Sequence, residues 1–319
     1  MSRDRYKTVI VTGATGFIGS HVVAHLASAP NAPPGVVGLD IREGSPDQAQ
    51  WIRCDLADAA QTAAALSGVS PDGIIHLAGV AAGPSLRDFF AANVQAAANL
   101  LAGAAALPRP PRVLVVGTAA QYGITSGEYE VVDEAHPLLG AAPYAVSKTL
   151  QEKWALAYAA ARALPVIAVR LFNVMGPGQP PSLVPAAFLH QVADVLDGRA
   201  TQVQVGNTAT RRDFTDVRDV AAALWGLMNA DERADGQVFN VASGEAVRIA
   251  DMLEACLRLA GRPISVRQDP ARVRITDVET IIGDAGRLRT LVGWRPAIGW
   301  PQSLADSWQW LRNKARTAP

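Results

Sequence analysis

Short runs of apolar, β-branched residues alternate with longer helical patterns through the first half of the chain. The runs are KTVIVTG, GVVGLD, GIIHLAG, RVLVVG and PVIAVRLFN, each bounded by Gly or Pro. Runs without polar alternation are typical of strands buried on both faces, as in a parallel sheet. The helical patterns between them cover residues 16–29, 58–66, 84–106 and 143–163. This alternation predicts βαβ units and a doubly wound α/β fold.

The pattern changes after Asn173, where VMGPGQPPSLVP is rich in Pro and Gly and predicts a loop across a domain boundary. Beyond it, helical patterns cover residues 185–197, 217–230, 248–259 and 302 to near the end, with a few short strands. GQVFNVASG is again a buried-strand pattern that can return to the first sheet. We therefore predict one domain over residues 1–173, rejoined by about 212–243, and a smaller, mainly helical domain over 174–319.

Composition and charge exclude several classes of function. Hydrophobic residues make up 49% and charged residues 18% of the 319, which is typical of a globular chain. The formal net charge is zero, so neither nucleic acid nor a membrane is an expected partner. The two cysteines, Cys54 and Cys256, lack metal-ligand spacing and favour a reducing compartment. Since no signal-peptide core and no membrane-spanning run is found, we expect a cytoplasmic protein without a metal.

TGATGFIG directly follows the first strand and opens the first helix. Gly13, Gly16 and Gly19 are three apart, unlike the usual GxGxxG spacing, but glycines serve the same chemistry there. Without a Cβ they let the backbone approach a pyrophosphate, whose charge is stabilised by the helix N-terminus. Asp40 ends the second strand, where a carboxylate accepts hydrogen bonds from ribose hydroxyls and repels a 2′-phosphate. NADH is therefore favoured as cofactor, with Arg42 partly offsetting the repulsion, and NADPH is not excluded.

The segment CDLAD, at residues 54–58 between the runs GVVGLD and GIIHLAG, has two interpretations. Asp55 and Leu56 are placed to contact the adenine of a bound dinucleotide. An aspartate in the same position is equally typical of a helix N-cap.

PYAVSK places Tyr144 and Lys148 four residues apart, on one face of a helix near its start. A phenol with a pKa of about 10 is a poor acid–base catalyst at neutral pH, and a nearby ammonium lowers that pKa. Thr118 ends the strand RVLVVGT, at the edge where parallel sheets place their active sites. A Tyr–Lys pair alone is usually an ordinary helix surface. The three groups together, behind a glycine loop, predict a hydride-transfer site.

The motifs TGATGFIG, HLAG, TAAQYG, YAVSK and RLFNVMGPGQ resemble those of the extended short-chain dehydrogenase/reductase family that acts on nucleotide sugars. The resemblance covers nearly the whole chain. It implies a doubly wound parallel Rossmann sheet that binds the dinucleotide within residues 1–173, and a nucleotide-diphosphate sugar bound by residues 174–319. It also implies a homodimer joined by a four-helix bundle of residues 91–106 and 143–163, with small residues at 96–98, 102–106 and 155–163 allowing close approach.

The same resemblance assigns roles to individual residues. The catalytic residues would be Thr118, Tyr144 and Lys148. The cofactor contacts would be Gly13, Thr15, Gly16, Phe17, Ile18, Gly19, Asp40, Arg42, Asp55, Leu56, Leu77, Ala78, Gly79, Asn93, Tyr144 and Lys148. The substrate contacts would be Thr118, Asn173, Arg212 and Arg274, the two arginines binding the diphosphate.

The family contains epimerases, dehydratases, decarboxylases and reductases. Its dehydratases carry an acid pair directly after the catalytic hydroxyl, where this chain has Ala119 and Ala120, so dehydration is not expected. RRDFTDVRDV, FNVASGEAVRI and DPARVRITDV are similar to GDP-4-keto-6-deoxy-D-mannose reductases. This implies reduction of the C4 ketone to GDP-D-rhamnose, with Tyr144 as general acid. A nucleotide-sugar 4-epimerase of the UDP-glucose 4-epimerase type, and a catalytically silent nicotinamide-sensing regulator, are the alternatives.

Overall fold

The computed structural model describes residues 6–29, 31–44, 49–83, 85–123, 130–272 and 280–317. The strands, in chain order, are β1 (Thr8–Thr12), β2 (Gly35–Asp40), β3 (Gln50–Arg53), β4 (Gly73–His76), β5 (Arg112–Thr118), β6 (Glu130–Val132), β7 (Val166–Leu171), β8 (Asn173–Met175), β9 (Gln202–Val205), β10 (Arg211–Asp216), β11 (Val238–Val241), β12 (Ala246–Arg248), β13 (Ser265–Gln268) and β14 (Thr280–Gly283). The α-helices are α1 (Phe17–Ser28), α2 (Ala59–Val69), α3 (Leu86–Phe89), α4 (Ala96–Ala105), α5 (Pro143–Arg162), α6 (Ala186–Leu196), α7 (Val217–Met228), α8 (Ile249–Arg258), α9 (Gly286–Val292) and α10 (Trp300–Thr317).

The main sheet contains seven parallel strands in the order β11-β7-β5-β4-β1-β2-β3. From β1 the chain runs outward through β2 to β3, then crosses to β4 and proceeds in the opposite direction. The connections after β1 and β4 therefore diverge at the carboxyl edge of the sheet, which leaves a crevice between them. This order confirms the predicted doubly wound parallel Rossmann sheet.

Helices cover both faces of this sheet because successive side chains of a buried strand point in opposite directions. Val9 and Val11 of β1 belong to an apolar cluster with residues of α1, α7 and α9. Ile10 lies in the cluster on the other face, with residues of α2, α4 and α5. The continuous apolar runs in the sequence are thus explained by burial on both sides, and the result is three layers, α/β/α.

A second region is built from α6, α8, α10 and short strands. One sheet has the order β12-β10-β14-β6, with β8 pairing β10, and β13 pairs β9 in a separate ribbon. Met175, Phe188, Phe214 and Met252 are buried in its core. It holds more strands than the sequence pattern predicted. Within residues 212–243, β10 lies in this second sheet, whereas α7 packs on α1 and β11 pairs with β7 of the main sheet.

The predicted helix bounds agree with the structure to within about three residues, the usual scatter at helix ends. The exception is the pattern over 84–106, which is divided into α3, a π-helix over Phe90–Gln95, and α4. Pro84, where this pattern was expected to begin, lies outside the described residues. Within the described part of the chain, no helix is both long enough and apolar enough to cross a bilayer.

Candidate active site

The glycine loop joins the end of β1 to the start of α1. Gly13 adopts φ +64°, and a Cβ added there would lie 2.8 Å from the backbone of Ala78. A Cβ on Gly19 would overlap the carbonyl oxygen of Gly13. Gly16 precedes α1 and has no side chain to cap the N–H groups of its first turn. The residues present therefore fit a bound dinucleotide, whose pyrophosphate the bare backbone and the helix N-terminus would hold.

Asp40 is buried at the end of β2, and its carboxylate is bonded to the glycine loop. Its Oδ2 accepts hydrogen bonds from the backbone N–H and the hydroxyl of Thr15, at 3.0 and 2.8 Å. Its Oδ1 accepts the backbone N–H of Arg42 at 3.1 Å. A carboxylate has about four acceptor sites, so Asp40 supports the loop and keeps a position for a ribose hydroxyl. The sequence predicted only the second of these functions.

Tyr144 and Lys148 lie near the start of α5, and Pro143 occupies the first turn, where its fixed φ suits a helix. Lys148 is buried, and its Nζ donates to Oε1 of Gln151 at 2.6 Å. Because burial disfavours the charged amine, the pKa of Lys148 is lowered to about 7.

The pKa of the Tyr144 phenol is shifted in the direction opposite to the prediction. Burial raises the pKa of Tyr144, and the hydrogen bond with the Thr118 side chain opposes that rise only in part. The lowering of this pKa by Lys148, expected from the sequence, was wrong for the described structure. Burial is the larger cause of the shift, and the Lys148 side chain is bonded to Gln151. The phenol is therefore held in its protonated form.

Thr118 is the last residue of β5 and caps a 3₁₀-helix over Ala119–Tyr122. Its Oγ1 accepts the backbone N–H of Ala120 at 3.3 Å. Its own backbone N–H donates to Oε1 of Gln121 at 2.8 Å. Cap and strand end together fix the hydroxyl at the carboxyl edge of the sheet, facing Tyr144.

Asn93 is buried in the π-helix, a distortion that is frequent at functional sites. Its side chain bonds both backbone groups of Val80, accepting from N at 2.8 Å and donating to O at 3.0 Å. It also donates to Oγ of Ser147 on α5 at 2.9 Å. Asn93 thus ties the loop after β4 to the helix that carries Tyr144 and Lys148.

A cavity of about 970 Å³ extends from the glycine loop past Tyr144 into the second region. Of the residues predicted to bind or react, it is lined by Gly13, Gly16, Phe17, Ile18, Gly19, Leu77, Gly79, Asn93, Thr118, Tyr144, Lys148, Asn173 and Arg212. The structure therefore brings residues from distant parts of the sequence into one cleft.

The other predicted residues lie outside the lining of this cavity. Thr15 belongs to the glycine loop and is bonded to Asp40, and the backbone of Ala78 packs closely against Gly13. Arg42 lines an adjoining cavity of about 710 Å³ beside Trp51 and Arg53. Arg274 lies outside the described residues.

In the segment after β3, the structure shows which aspartate of CDLAD caps the following helix. The helix cap is Asp58, whose Oδ1 accepts the N–H groups of Ala60 and Gln61. Asp55 is instead exposed, and its Oδ1 accepts the N–H of Ala57 at 2.9 Å. Its contact with adenine, and that of Leu56, stay predictions.

The titratable side chains of the large cavity are few. Among the described residues that line it, the ionisable ones are Tyr144, Lys148, Arg212 and Arg272, with no Asp, Glu or His. In the sequence, Arg272 stands beside Arg274 in DPARVRITDVE, but it was interpreted as solvated surface charge and not as a phosphate ligand. Its Nε does lie 3.4 Å from Asp269, but the residue also borders the cavity.

Four buried polar residues beside the site were missed: Gln121, Gln151, Glu152 and Arg170. One local signal was available for the first of them. Thr118-Ala-Ala-Gln121 has the spacing of a capping box, in which the last residue bonds back to the cap N–H. Glu152 and Arg170 are defined by contacts between distant segments and leave no local pattern. Gln151 accepts from Lys148 one turn earlier on α5, a spacing that by itself is common on helices.

The chain is similar to known proteins over nearly its whole length. The chain is 32% identical to GDP-6-deoxy-D-mannose reductase of Pseudomonas aeruginosa, over 93% of this chain and 94% of that protein. A structure of RMD from Pseudomonas aeruginosa complexed with NADPH superposes with a TM-score of 0.82 at 28% identity, covering 97% and 99% of the two chains. A Thermus thermophilus UDP-glucose 4-epimerase in complex with NAD has the same TM-score and identity, covering 96% and 99%.

A family model also matches most of the chain. Residues 9–242 match the model described as the NAD dependent epimerase/dehydratase family. This range contains the glycine loop, Thr118, Tyr144, Lys148 and Arg212. The chain is therefore a member of the NAD-dependent epimerase/dehydratase family, the extended short-chain dehydrogenase/reductase enzymes that act with a nicotinamide cofactor.

Proposed function

We propose that this enzyme is a nucleotide-sugar 4-ketoreductase that converts GDP-4-keto-6-deoxy-D-mannose to GDP-D-rhamnose. The observation that carries the proposal is the set of ionisable groups in the cavity. Of the described lining residues, Tyr144 and Lys148 alone can hold or move a proton near neutral pH. Reduction of a ketone needs one proton donor, whereas dehydration also needs a base to remove a proton from carbon. Ala120 lines the cavity at the position of the dehydratase acid pair.

A reduced nicotinamide bound along the glycine loop would supply the hydride. Thr118 and Tyr144 hydrogen-bond the ketone oxygen and orient the carbonyl. Tyr144 then donates its phenolic proton to that oxygen as it becomes an alkoxide. The Tyr144 phenol is protonated before reaction, as a proton donor must be, although burial also makes it a weaker acid by raising its pKa. Lys148 binds the nicotinamide ribose and stabilises the phenolate that is left.

Two arginines support a diphosphate-containing substrate. Arg212 lies on β10 and Arg272 on a 3₁₀-helix, and both line the part of the cavity formed by the second region. Guanidinium groups bind phosphate oxygens in a bidentate geometry. Asn173 lies between these arginines and Tyr144 in sequence and lines the same cavity, so we assign it to the sugar. The contribution predicted for Arg274 stays a prediction.

The similarity to the Pseudomonas aeruginosa reductase supports the choice of substrate, and the similarity to a UDP-glucose 4-epimerase gives the second candidate function. An epimerase oxidises C4 and then reduces it from the other face. It therefore keeps its cofactor and shows no net consumption, whereas a reductase consumes one reduced nicotinamide for each sugar.

Purified protein mixed with GDP-4-keto-6-deoxymannose is expected to oxidise added NADH in proportion to the sugar supplied. We expect a higher kcat/KM with NADH than with NADPH, because the Asp40 carboxylate repels a 2′-phosphate. Loss of nicotinamide absorbance measures the rate of oxidation with each cofactor, and chromatography measures the amount of sugar product. Lack of oxidation with either cofactor would contradict the reductase. Interconversion of UDP-glucose and UDP-galactose without cofactor consumption would establish the epimerase instead.

We further propose that residues 1–173 hold the cofactor, with part of 212–243, and that residues 174–319 hold the sugar. The lining of the cavity supports this division: Gly13, Gly16 and Gly19 of the glycine loop come from the first segment, and Asn173 lies at the boundary. A cytoplasmic location stays a prediction.

A homodimer through α3–α4 and α5 is part of the proposal. The small residues expected at the interface are in part used elsewhere, since Ala96, Ala104 and Ala155 are buried in the protein's own core. The exposed side of these helices is nevertheless apolar. Its large side chains are Leu86, Phe90, Val146, Leu150 and Trp154, exposed by 41–70%. The last three follow at four-residue intervals and form one stripe along α5, which a second copy would cover.

Leu150→Glu is expected to convert the dimer to a monomer, because it places a charge in the centre of this apolar stripe. Light scattering after size-exclusion chromatography measures the molar mass. Val266→Glu is the matched control, since Val266 is similarly exposed at 41% but lies on β13. A monomeric wild-type protein, or dissociation by the control alone, would argue against this interface.

A further inference from the structure

Gln121 connects the two segments that carry the reacting groups. It is fully buried in the 3₁₀-helix that begins directly after Thr118. Its Oε1 accepts the backbone N–H of Thr118 at 2.8 Å, and its Nε2 donates to Oε2 of Glu152 at 2.9 Å. Glu152 lies on α5, one turn beyond Lys148. A single amide thus bridges the end of β5 and the helix of Tyr144.

Glu152 is itself held in place by Arg170 of β7. Nε of Arg170 donates to Oε2 at 2.8 Å and Nη2 to Oε1 at 2.6 Å, a bidentate pair with both side chains buried. Bidentate pairs of this kind fix orientation as well as position. The Glu152 carboxylate is therefore a rigid anchor for Gln121.

The backbone beside Gln121 is adapted to this bridge. A Cβ on Gly117 would overlap Oε1 of Gln121, so glycine at this position leaves room for the amide. In an ordinary capping box the Gln121 side chain would only accept the backbone N–H of Thr118. The second bond, to a different helix, has no role in capping.

We propose that Gln121 is a positioning residue that sets the Thr118 hydroxyl at its working distance from the Tyr144 phenol. This inference rests on the proposed function. The two reacting groups lie on separate elements, and Thr118 is bonded to α5 through Gln121 as well as through the phenol itself. Without the bridge, the described hydrogen bonds between β5 and α5 would be that of Thr118 with the phenol and that from Nε2 of Gln151 to the carbonyl oxygen of Val116, which is long at 3.4 Å.

Gln121→Met is expected to lower kcat by about 10- to 100-fold, because methionine fills the space but cannot bond Thr118 or Glu152. The Kd of the cofactor should stay unchanged, since Gln121 does not contact the glycine loop. Steady-state kinetics with the keto sugar, titration of NADH and thermal unfolding are the measurements. Gln121→Asn, which keeps the amide but is one methylene too short to span both partners, should lower kcat in the same way if the first variant does not fold.

Tyr122→Phe is the matched control for simple loss of stability. Its hydroxyl accepts from Arg170 at 3.0 Å and donates to Asn240 at 2.6 Å, so its removal weakens the same buried network without touching the bridge. We expect lower stability and unchanged kcat. Wild-type kcat in both Gln121 variants, or an equal loss in Tyr122→Phe, would overturn the positioning role. An inactive wild-type protein would instead contradict the proposed function.

Discussion

Tyr144→Phe is expected to lower kcat by about 10²- to 10⁴-fold, the usual contribution of a general acid. Tyr144 and Lys148 are the proton-carrying groups among the described lining residues, and the lysine is bonded to Gln151. Phenylalanine keeps the ring, which packs 6.3 Å from Phe89, and removes only the hydroxyl. The Kd of the cofactor should therefore be unchanged. Oxidation of the reduced nicotinamide and a separate binding titration measure the two effects.

Tyr158→Phe is the control for this experiment. Tyr158 is on the same helix but stacks on Trp154 and does not line the cavity. Its replacement should leave kcat as it was. A Tyr144→Phe variant with wild-type turnover would refute the assigned proton donor.

Arg170→Met is expected to reduce the free energy of unfolding by about 3–5 kcal/mol, the typical cost of leaving a buried charge without its partner. Both side chains of the Arg170–Glu152 pair are about 5% exposed. Arg170 also donates to Tyr122 and to the carbonyl oxygen of Glu134, so these acceptors lose a donor as well. Urea unfolding followed by circular dichroism gives the change.

Two comparisons define the origin of that loss. The double variant Arg170→Met, Glu152→Met should be more stable than Arg170→Met alone, because no unpaired charge remains. Arg199→Met removes an exposed ion pair with Asp194 and should leave the unfolding midpoint unchanged. A double variant less stable than either single one would show that the charges are not the cause.

Local sequence patterns were sufficient for six of the seven main-sheet strands and for the centre of the site. Those six strands are continuous apolar runs, because burial on both faces favours apolar side chains at successive positions. The exception is β3, a partly exposed edge strand with the sequence QWIR. Gly13, Thr118, Tyr144 and Lys148 each belong to a short motif at a strand end or a helix start. Since parallel strands end at one edge, their order in sequence already places them together.

The remaining features depend on contacts that no local pattern records. The strand β10, RRDFTD, is rich in charged residues and is defined by its pairing with β8, β12 and β14. Tyr122 and Asn240 are bonded although 118 residues separate them. The pKa of Tyr144 was predicted from one neighbouring charge, whereas its actual direction is set by burial, which appears only in the folded chain.

The bonds between Asp40 and Thr15 constrain any redesign of coenzyme preference. Engineers commonly neutralise the acidic residue at this position so that the phosphorylated coenzyme fits. In this enzyme the same carboxylate anchors the turn that receives the pyrophosphate. If Asp40 sets the proposed preference for NADH, one side chain determines both coenzyme selectivity and the preorganisation of that turn, and a substitution that alters the first must supply a new support for the second.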